Sequence, residues 1–278
     1  MNKHTRATGF AGMAIAGVMA ALLMAGTPGA PEAKDTRFGL MSSLPIYRMP
    51  QASVADALVV GGDATGVHWL RRVVEANNSL DPVDMLDPAG LARLDTLLLI
   101  QPRALTPAEN VALDDWVRAG GKVLLVADPM LVSEPTFALG DPRNPQAIAV
   151  SGPILARWGL TLESEVDARH RADPGIGGDD PGIERDGTHR HADDEMLDLE
   201  GATIPVTLGG HFALRAPAGG APADCELREA RLIAVCDIGE GRAVLLADAT
   251  MFERSPAPSD APDAFWALMG MVRDEPGE

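Results

Sequence analysis

Residues 96–129 read TLLLIQPRALTPAENVALDDWVRAGGKVLLVADP, with two short apolar runs on either side of an amphipathic segment. The runs Thr96–Ile100 and Lys122–Ala127 have the continuous apolar character of strands that are buried on both faces of a parallel sheet. The segment between them carries apolar residues at helical spacing and stops at Gly120-Gly121, a pair that suits a helix C-terminus. These residues therefore predict a strand, a helix and a second strand.

Three residues within positions 106–109 mark the start of this helix. Thr106 is a good N-cap, Pro107 stands at the first helical position, and Glu109 completes a capping box with the threonine. We therefore predict that the helix begins at Pro107.

The same alternation extends towards the N-terminus. The predicted elements are a first strand at either Phe38–Met41 or Ala57–Val60, a helix at Thr65–Ala76, a strand at Asp81–Leu86 and a short helix at Pro88–Leu94. Successive strand–helix alternations imply a parallel sheet with right-handed crossovers.

The second half of the chain is less regular. Its predicted elements are a helix at Ser151–Trp158, a strand at Leu160–Val166, a mobile loop at 167–195, short hairpin strands within Met196–Arg215, a hairpin of Arg231–Asp237 with Arg242–Asp248, and a helix at Ala261–Arg273. We therefore expect residues 37–278 to form one α/β domain. Its sheet is mostly parallel with helices on both faces, and a β-hairpin-rich insertion lies in the second half.

The N-terminus has the pattern of an export signal. Lys3, His4 and Arg6 precede the apolar stretch Gly9–Gly26, which predicts a signal anchor at residues 1–26 followed by a tether at 27–36. Cleavage sites near Ala30 and Ala33 are poor because prolines surround them. We expect the domain to be anchored in the inner membrane and to face the periplasm. The alternative is that the signal peptide is cleaved and the mature protein is released into the periplasm.

Composition excludes some classes of partner and chemistry. A formal net charge of −17 disfavours nucleic acid. The sequence has no Gly-x-Ser-x-Gly elbow, no phosphate loop and no Gly-x-Gly-x-x-Gly, so we expect no cofactor and no enzyme activity. The cluster of His, Asp and Glu at 189–195 matches no standard metal site, and a solvated loop explains it equally well.

Five polar residues lie at or just after the carboxyl ends of predicted strands, where open parallel sheets bind their ligands. They are Ser42, Ser43, Gln101, Asp128 and Asp248. These residues are candidates for a ligand-binding edge, and the alternative is that each one caps a turn or a helix.

Cys225 and Cys236 are the two cysteines of the chain. If the chain turns near Ala230 and Arg231, they face each other on antiparallel strands, and an oxidising compartment would keep a disulfide closed. The alternative is two buried thiols, since the turn lacks Gly or Asn.

The segment 96–129 resembles the periplasmic auxiliary component of gliding-motility-type ABC transport systems, together with the related GIFT domain of intraflagellar transport. The shared features are the strand, the Pro-Leu-(Ser/Thr)-type cap, the helix, Gly-Gly and a strand ending in Asp-Pro. The run 239–252, GEGRAVLLADATMF, is similar to the last core strand of that family. The resemblance implies a class I glutamine-amidotransferase-like fold that lacks the catalytic machinery.

Together these observations predict a non-enzymatic, membrane-tethered, extracytoplasmic binding module. The resemblance implies that it is an accessory to an ABC-type transport or envelope-assembly system, with a permease or ATPase as a possible partner. Two alternatives stay open: a periplasmic hydrolase or amidase that uses Asp128 and Asp248, and a structural scaffold.

Overall fold

The computed structural model describes residues 36–47, 67–133, 137–138, 140–141, 144–164, 195–219, 223–254 and 256–274. The predicted signal anchor, the tether up to residue 35 and the predicted loop from 167 to 194 lie outside these residues. Across the ranges that are described, every helix is too short or too polar to cross a membrane.

The elements alternate between strands and helices in the first half and are mostly strands in the second. In chain order they are β1 (Arg37–Ser42), α1 (Trp69–Glu75), β2 (Ser79–Pro82), α2 (Pro88–Leu91), β3 (Thr96–Ile100), α3 (Pro107–Arg118), β4 (Lys122–Val126), α4 (Gly152–Arg157), β5 (Leu160–Glu163), β6 (Glu195–Leu199), β7 (Ala202–Val206), β8 (His211–Leu214), β9 (Asp224–Arg228), β10 (Ile233–Ile238), β11 (Gly241–Leu246), α5 (Thr250–Glu253) and α6 (Ala261–Arg273).

A seven-stranded sheet in the order β2-β1-β3-β4-β11-β10-β9 forms the centre of the fold. The first five of these strands are parallel, and β10 and β9 continue the sheet in the antiparallel sense. The order β2-β1-β3-β4 is that of doubly wound sheets, which bind ligands at the carboxyl ends of their strands. The predicted α/β class with a mostly parallel sheet is confirmed.

Helices cover both faces of this sheet. Helix α6 contacts β4 and β11, and α3 packs against β11 and the short helix α2. Every residue of β3 is buried, which explains why its sequence shows no polar alternation. The predicted hairpin-rich insertion consists of the pairs β5–β8 and β6–β7, which lie outside the main sheet.

Helix α3 begins and ends where the sequence predicts. The Thr106 hydroxyl accepts a hydrogen bond from the Glu109 N–H at 3.2 Å, and the Glu109 carboxylate accepts one from the Thr106 N–H at 2.9 Å. After the helix, Gly120 has a φ of 107°, a conformation that glycine adopts without strain. At Gly121 a Cβ would lie 2.5 Å from the Trp116 ring, so the close approach requires glycine.

Some predicted boundaries are wrong. The strand predicted at Asp81–Leu86 is Ser79–Pro82, and it ends early because the next residues turn inward to reach α3. The strand predicted at Leu160–Val166 is assigned to Leu160–Glu163, and it pairs with β8 away from the main sheet. Of the two candidates for the first strand, Phe38–Met41 lies in β1, whereas Ala57–Val60 falls outside the described residues.

Candidate functional site

The five candidate residues lie at one edge of the sheet. Ser42 is the last residue of β1 and Ser43 follows it, Gln101 follows β3, Asp128 stands two residues after β4, and Asp248 stands two residues after β11. These four strands are parallel neighbours, so their carboxyl ends share an edge.

Gln101 connects the first three of these strands. Its side-chain oxygen accepts a hydrogen bond from the Asp128 N–H at 2.9 Å, and its amide group donates to the carbonyls of Asp128 at 3.1 Å and Gln146 at 2.8 Å. The Ser43 hydroxyl donates to the Gln101 carbonyl at 2.6 Å. Gln101 has a φ of 44°, in the left-handed region that is strained for a residue with a Cβ.

The two serines also bond to nearby backbone. The Ser42 hydroxyl accepts a hydrogen bond from the Leu44 N–H at 3.0 Å, which closes the turn after β1. The Ser43 hydroxyl accepts one from the Gln146 N–H at 2.9 Å. Both serines therefore stabilise the path of the chain at this edge.

The Asp128 carboxylate is fully buried and bonds to backbone on both of its oxygens. Oδ1 accepts from the Met130 N–H at 2.8 Å, and Oδ2 accepts from the Ala249 N–H at 2.9 Å. Asp128 therefore fastens the end of β4 to the chain that leaves β11.

Asp248 has a similar environment and a solvent exposure of 1%. Its Oδ1 accepts from the Thr250 N–H at 2.9 Å, while Oδ2 accepts from the Thr207 N–H at 3.1 Å and the Thr250 hydroxyl at 3.0 Å. The carboxylate thereby connects β11 to the segment that follows β7.

Burial changes the acidity of both carboxyl groups. Loss of hydration raises the pKa of Asp128 to about 6, and the negative charge of Glu253 adds to this shift. Loss of hydration, together with the charge of Asp128, raises the pKa of Asp248 to about 7. The two acids are thus electrostatically coupled, and the pKa of each lies close to neutral pH.

The geometry limits what these acids can do chemically. A general acid or base must come within hydrogen-bond reach of a substrate. Here each carboxylate oxygen already receives a backbone N–H from the protein itself, and the side chains are closed to solvent. These contacts are those expected from the alternative interpretation of the sequence, in which the two residues cap turns.

Several residues of this edge were not predicted from the sequence. Thr250 could have been found, since an Asp followed two residues later by an N–H donor is a common local turn. Gln146 and Thr207 give no local signal, because Gln146 meets Gln101 across 45 residues and Thr207 meets Asp248 across 41.

A buried histidine lies close to the same chain segment. His68 Nδ1 accepts from the Leu70 N–H at 3.2 Å, so Nε2 carries the proton that is donated to the Phe252 carbonyl at 3.0 Å. Loss of hydration lowers the pKa of His68 to about 4. Nδ1 therefore caps the start of α1, and Nε2 connects α1 to α5.

Cys225 and Cys236 lie directly opposite each other on β9 and β10 and are joined by a disulfide, with a Cα–Cα distance of 4.0 Å. The strands are connected by a turn at Glu229–Arg231, whose three residues all have positive φ. In the part of the chain that the structure describes, no group of three His, Cys, Asp or Glu residues is placed to hold a metal ion.

The family described as "Domain of unknown function (DUF4350)" matches residues 63–253, which is more than half of the chain. No protein of curated function matches the sequence.

Solved structures with a similar fold share little sequence with this protein. An exo-β-1,4-mannosidase from Opitutaceae bacterium strain TAV5 is 12% identical with a TM-score of 0.41, over 86% of this chain and 36% of the mannosidase. A cytoplasmic protein from Salmonella typhimurium is 10% identical with a TM-score of 0.36, over 86% of this chain and 98% of that protein. A putative ThuA-like protein from Bacteroides uniformis is 10% identical with a TM-score of 0.35, over 90% and 94%.

The chain spans about a third of the length of the glycosidases that it matches. Two of the matches extend over nearly the whole length of the other protein. At these identities and TM-scores the likeness carries no argument about activity.

Proposed function

Because this chain belongs to the DUF4350 family, whose description assigns no activity, we propose a function from its own site: a non-enzymatic binding module outside the cytoplasm. The module is tethered to the membrane and serves an ABC-type transport or envelope-assembly system. Its partners are the membrane and the permease or ATPase of that system.

The closed strand-end edge is the observation that supports a non-enzymatic role. Asp128 and Asp248 are the acids that a catalytic mechanism would need, and both are buried against backbone N–H groups of the same chain. A substrate could reach them only by breaking buried hydrogen bonds, each of which leaves an unsatisfied donor that costs about 1 to 3 kcal/mol. We therefore assign these acids to the stability of the edge.

A turnover screen tests this part of the proposal. The full chain and its D128N and D248N variants would be incubated with chromogenic ester, amide and glycoside substrates. We expect no turnover by any of the three proteins. Reproducible turnover by the wild-type chain that either substitution removes would overturn the non-enzymatic role.

The hydrolase is the second candidate, and one observation favours it. The pKa values of Asp128 and Asp248, about 6 and about 7, lie where a general acid works at neutral pH. The same screen decides between the two functions, because an acid that acts in catalysis loses its proton donor when it is replaced by Asn.

Membrane tethering and the transport partner are supported by the sequence. The cationic residues ahead of the apolar stretch 9–26 favour an anchor whose following domain is exported. The segment 96–129 supports the transport role through its resemblance to auxiliary components of ABC systems.

Purification from membranes tests the partner. The tagged full chain would be isolated in mild detergent, and proteins that co-purify would be identified by mass spectrometry. We expect an ABC permease or ATPase in stoichiometric amount. Recovery of the chain from the membrane fraction without a co-purifying permease or ATPase would contradict the transport role.

A further inference from the structure

A cavity of about 580 Å³ lies beside the edge strand β2, where the chain continues through the loop 83–87 into α2. This volume is in the range of small-molecule sites. Charged side chains of both signs line it, namely Arg37, Arg93, Asp81, Asp84 and Asp87. None of the residues that line the cavity is among the five candidates at the strand-end edge.

The loop that forms one wall is fixed from the protein interior. The Leu86 N–H donates to the Glu109 carboxylate at 3.1 Å, and the Arg103 guanidinium donates to the Asp84 carbonyl at 2.5 Å. Arg103 and Glu109 also form an ion pair at 2.6 Å. A wall held in this way is preformed, so a ligand need not order it on binding.

The pKa of Glu109 agrees with this role. The hydrogen bond from Arg103 lowers that pKa to about 2, so the carboxylate stays ionised and keeps the loop in place at ordinary pH.

The cavity also has an apolar part. Met85 is 64% exposed, whereas Val83 and Leu94 are partly buried and pack against the core. A flexible thioether beside two fixed aliphatic groups suits an apolar ligand side chain of variable shape.

Two arginines of the cavity are available to a ligand. Among the described residues, the Arg93 guanidinium forms neither a hydrogen bond nor an ion pair. Arg37 lies 3.9 Å from the Asp81 carboxylate, with both side chains more than half exposed. An exposed pair of this kind contributes little to stability, so a ligand can replace either partner.

The lining indicates which charges the ligand carries. A polyanion is disfavoured by the three aspartates and by the net charge of −17. A cation without an anionic group would leave the Arg93 guanidinium without a counter-charge, and would compete with Arg37 for the Asp81 carboxylate. A small molecule that carries one ammonium group, one carboxylate group and an apolar side chain matches the aspartates, the arginines and the apolar part of the cavity.

We propose that the cavity beside β2 binds a small zwitterion with an apolar side chain, either a free α-amino acid or a short peptide. Arg93 and Arg37 bind the carboxylate, Asp84 and Asp81 bind the ammonium group, and Met85 contacts the side chain. This inference rests on the proposed function, since it gives the binding module its ligand class.

Isothermal titration calorimetry of the full chain in detergent tests the proposal. The probes are leucine and the dipeptide Ala-Leu, each also in an N-acetylated and a C-amidated form. We expect saturable binding of at least one of the unblocked probes, and about tenfold or more weaker binding when either terminal charge is blocked. Leucine and Ala-Leu differ in length, so their relative affinities separate an amino-acid site from a peptide site.

Three variants locate the binding. R93Q and D84N should each weaken binding about tenfold or more, because each removes one charge-assisted contact. R228Q is the matched control, since Arg228 is an exposed arginine on β9 at the opposite edge of the sheet and pairs with an exposed Glu226. Thermal unfolding of every variant checks that the fold is retained.

The outcomes separate the two levels of the proposal. The cavity is not a zwitterion site if neither unblocked probe gives a saturable binding heat up to about 5 mM. The same conclusion follows if R93Q, D84N and R228Q all lose the same amount of binding affinity. Binding that persists in R93Q and D84N overturns the location but leaves a binding module. Cleavage of Ala-Leu during the titration overturns the non-enzymatic function itself.

Discussion

Replacing Asp248 with asparagine should change how the stability of the protein depends on pH. The folded state raises the pKa of Asp248 from 3.8 to about 7. Folded chains therefore bind more protons than unfolded chains between these values, and stability falls as the pH rises through them. From pH 5 to pH 8 this group alone lowers the free energy of unfolding by about 2.6 kcal/mol.

Two other buried groups contribute to the same pH range. Asp128, whose pKa is raised from 3.8 to about 6, lowers the free energy of unfolding by a further 1.4 kcal/mol or so between pH 5 and pH 8. His68 acts in the opposite direction, because its pKa is lowered from 6.5 to about 4. Because of this shift, the free energy of unfolding falls by about 2 kcal/mol as the pH is lowered from 8 to 5.

The comparison between wild type and D248N measures the contribution of Asp248 together with its coupling to Asp128. Asn resembles the protonated acid but cannot ionise, so D248N should gain about 2 to 3 kcal/mol relative to wild type from pH 5 to pH 8. Its amide has a single oxygen and cannot accept at both positions, from the Thr250 N–H at Oδ1 and from the Thr207 N–H at Oδ2. This loss adds a destabilisation of about 1 to 3 kcal/mol that does not vary with pH.

Urea unfolding at pH 5, 6, 7 and 8 measures this difference. D224N is the control, because Asp224 is an exposed carboxylate on β9. A wild-type to D248N difference that stays constant within about 0.5 kcal/mol across this range would refute the assignment of a raised pKa to Asp248.

Three further predictions concern the cap, the disulfide and the N-terminus. Thr106→Ala removes the capping box of α3 and should lower the free energy of unfolding by about 1 kcal/mol in urea titrations; an unchanged midpoint would contradict the role of the cap. The denatured, unreduced chain should show no free thiol, and reduction of Cys225–Cys236 should destabilise the fold by roughly 2 to 3 kcal/mol. Two titratable thiols would exclude the bond. N-terminal sequencing of the exported protein should find residue 1 or 2, and a mature start between 27 and 34 would show cleavage instead of anchoring.

Local signals in the sequence were sufficient for α3. Thr106, Pro107 and Glu109 act within one turn, and Gly120 ends the helix, so the observed bounds Pro107–Arg118 follow from nearest neighbours. The continuous apolar runs of β3 and β4 were likewise sufficient to predict buried parallel strands.

Long-range contacts explain why β2 was misplaced. Leu86 is buried, and its apolar character together with that of Val83 suggested a strand. In the structure it is buried in a loop, because its N–H bonds to Glu109 across 23 residues. A pattern of side chains cannot show where a backbone donor finds its partner.

The candidate site was located from the sequence, but its role was not. Asp128 and Asp248 follow parallel strands, which is enough to place them at one edge. Each carboxylate accepts from one donor two residues away, Met130 or Thr250. The other oxygen of each is reached by a distant donor, since Ala249 meets Asp128 across 121 residues and Thr207 meets Asp248 across 41. Capping and ligand binding therefore could not be distinguished before the structure was known.

The strained backbone of Gln101 gives a physical reason for the closure of this edge. Its left-handed φ of 44° costs a residue with a Cβ about 1 to 2 kcal/mol, and this cost is offset by bonds from its amide to both the N–H and the C=O of Asp128. The Asp128 carboxylate in turn accepts the Ala249 N–H, so that β3, β4 and β11 are joined at their ends by one polar chain. Any ligand that entered here would have to replace buried bonds of this chain, whereas the cavity beside β2 offers charged groups that have few partners to lose.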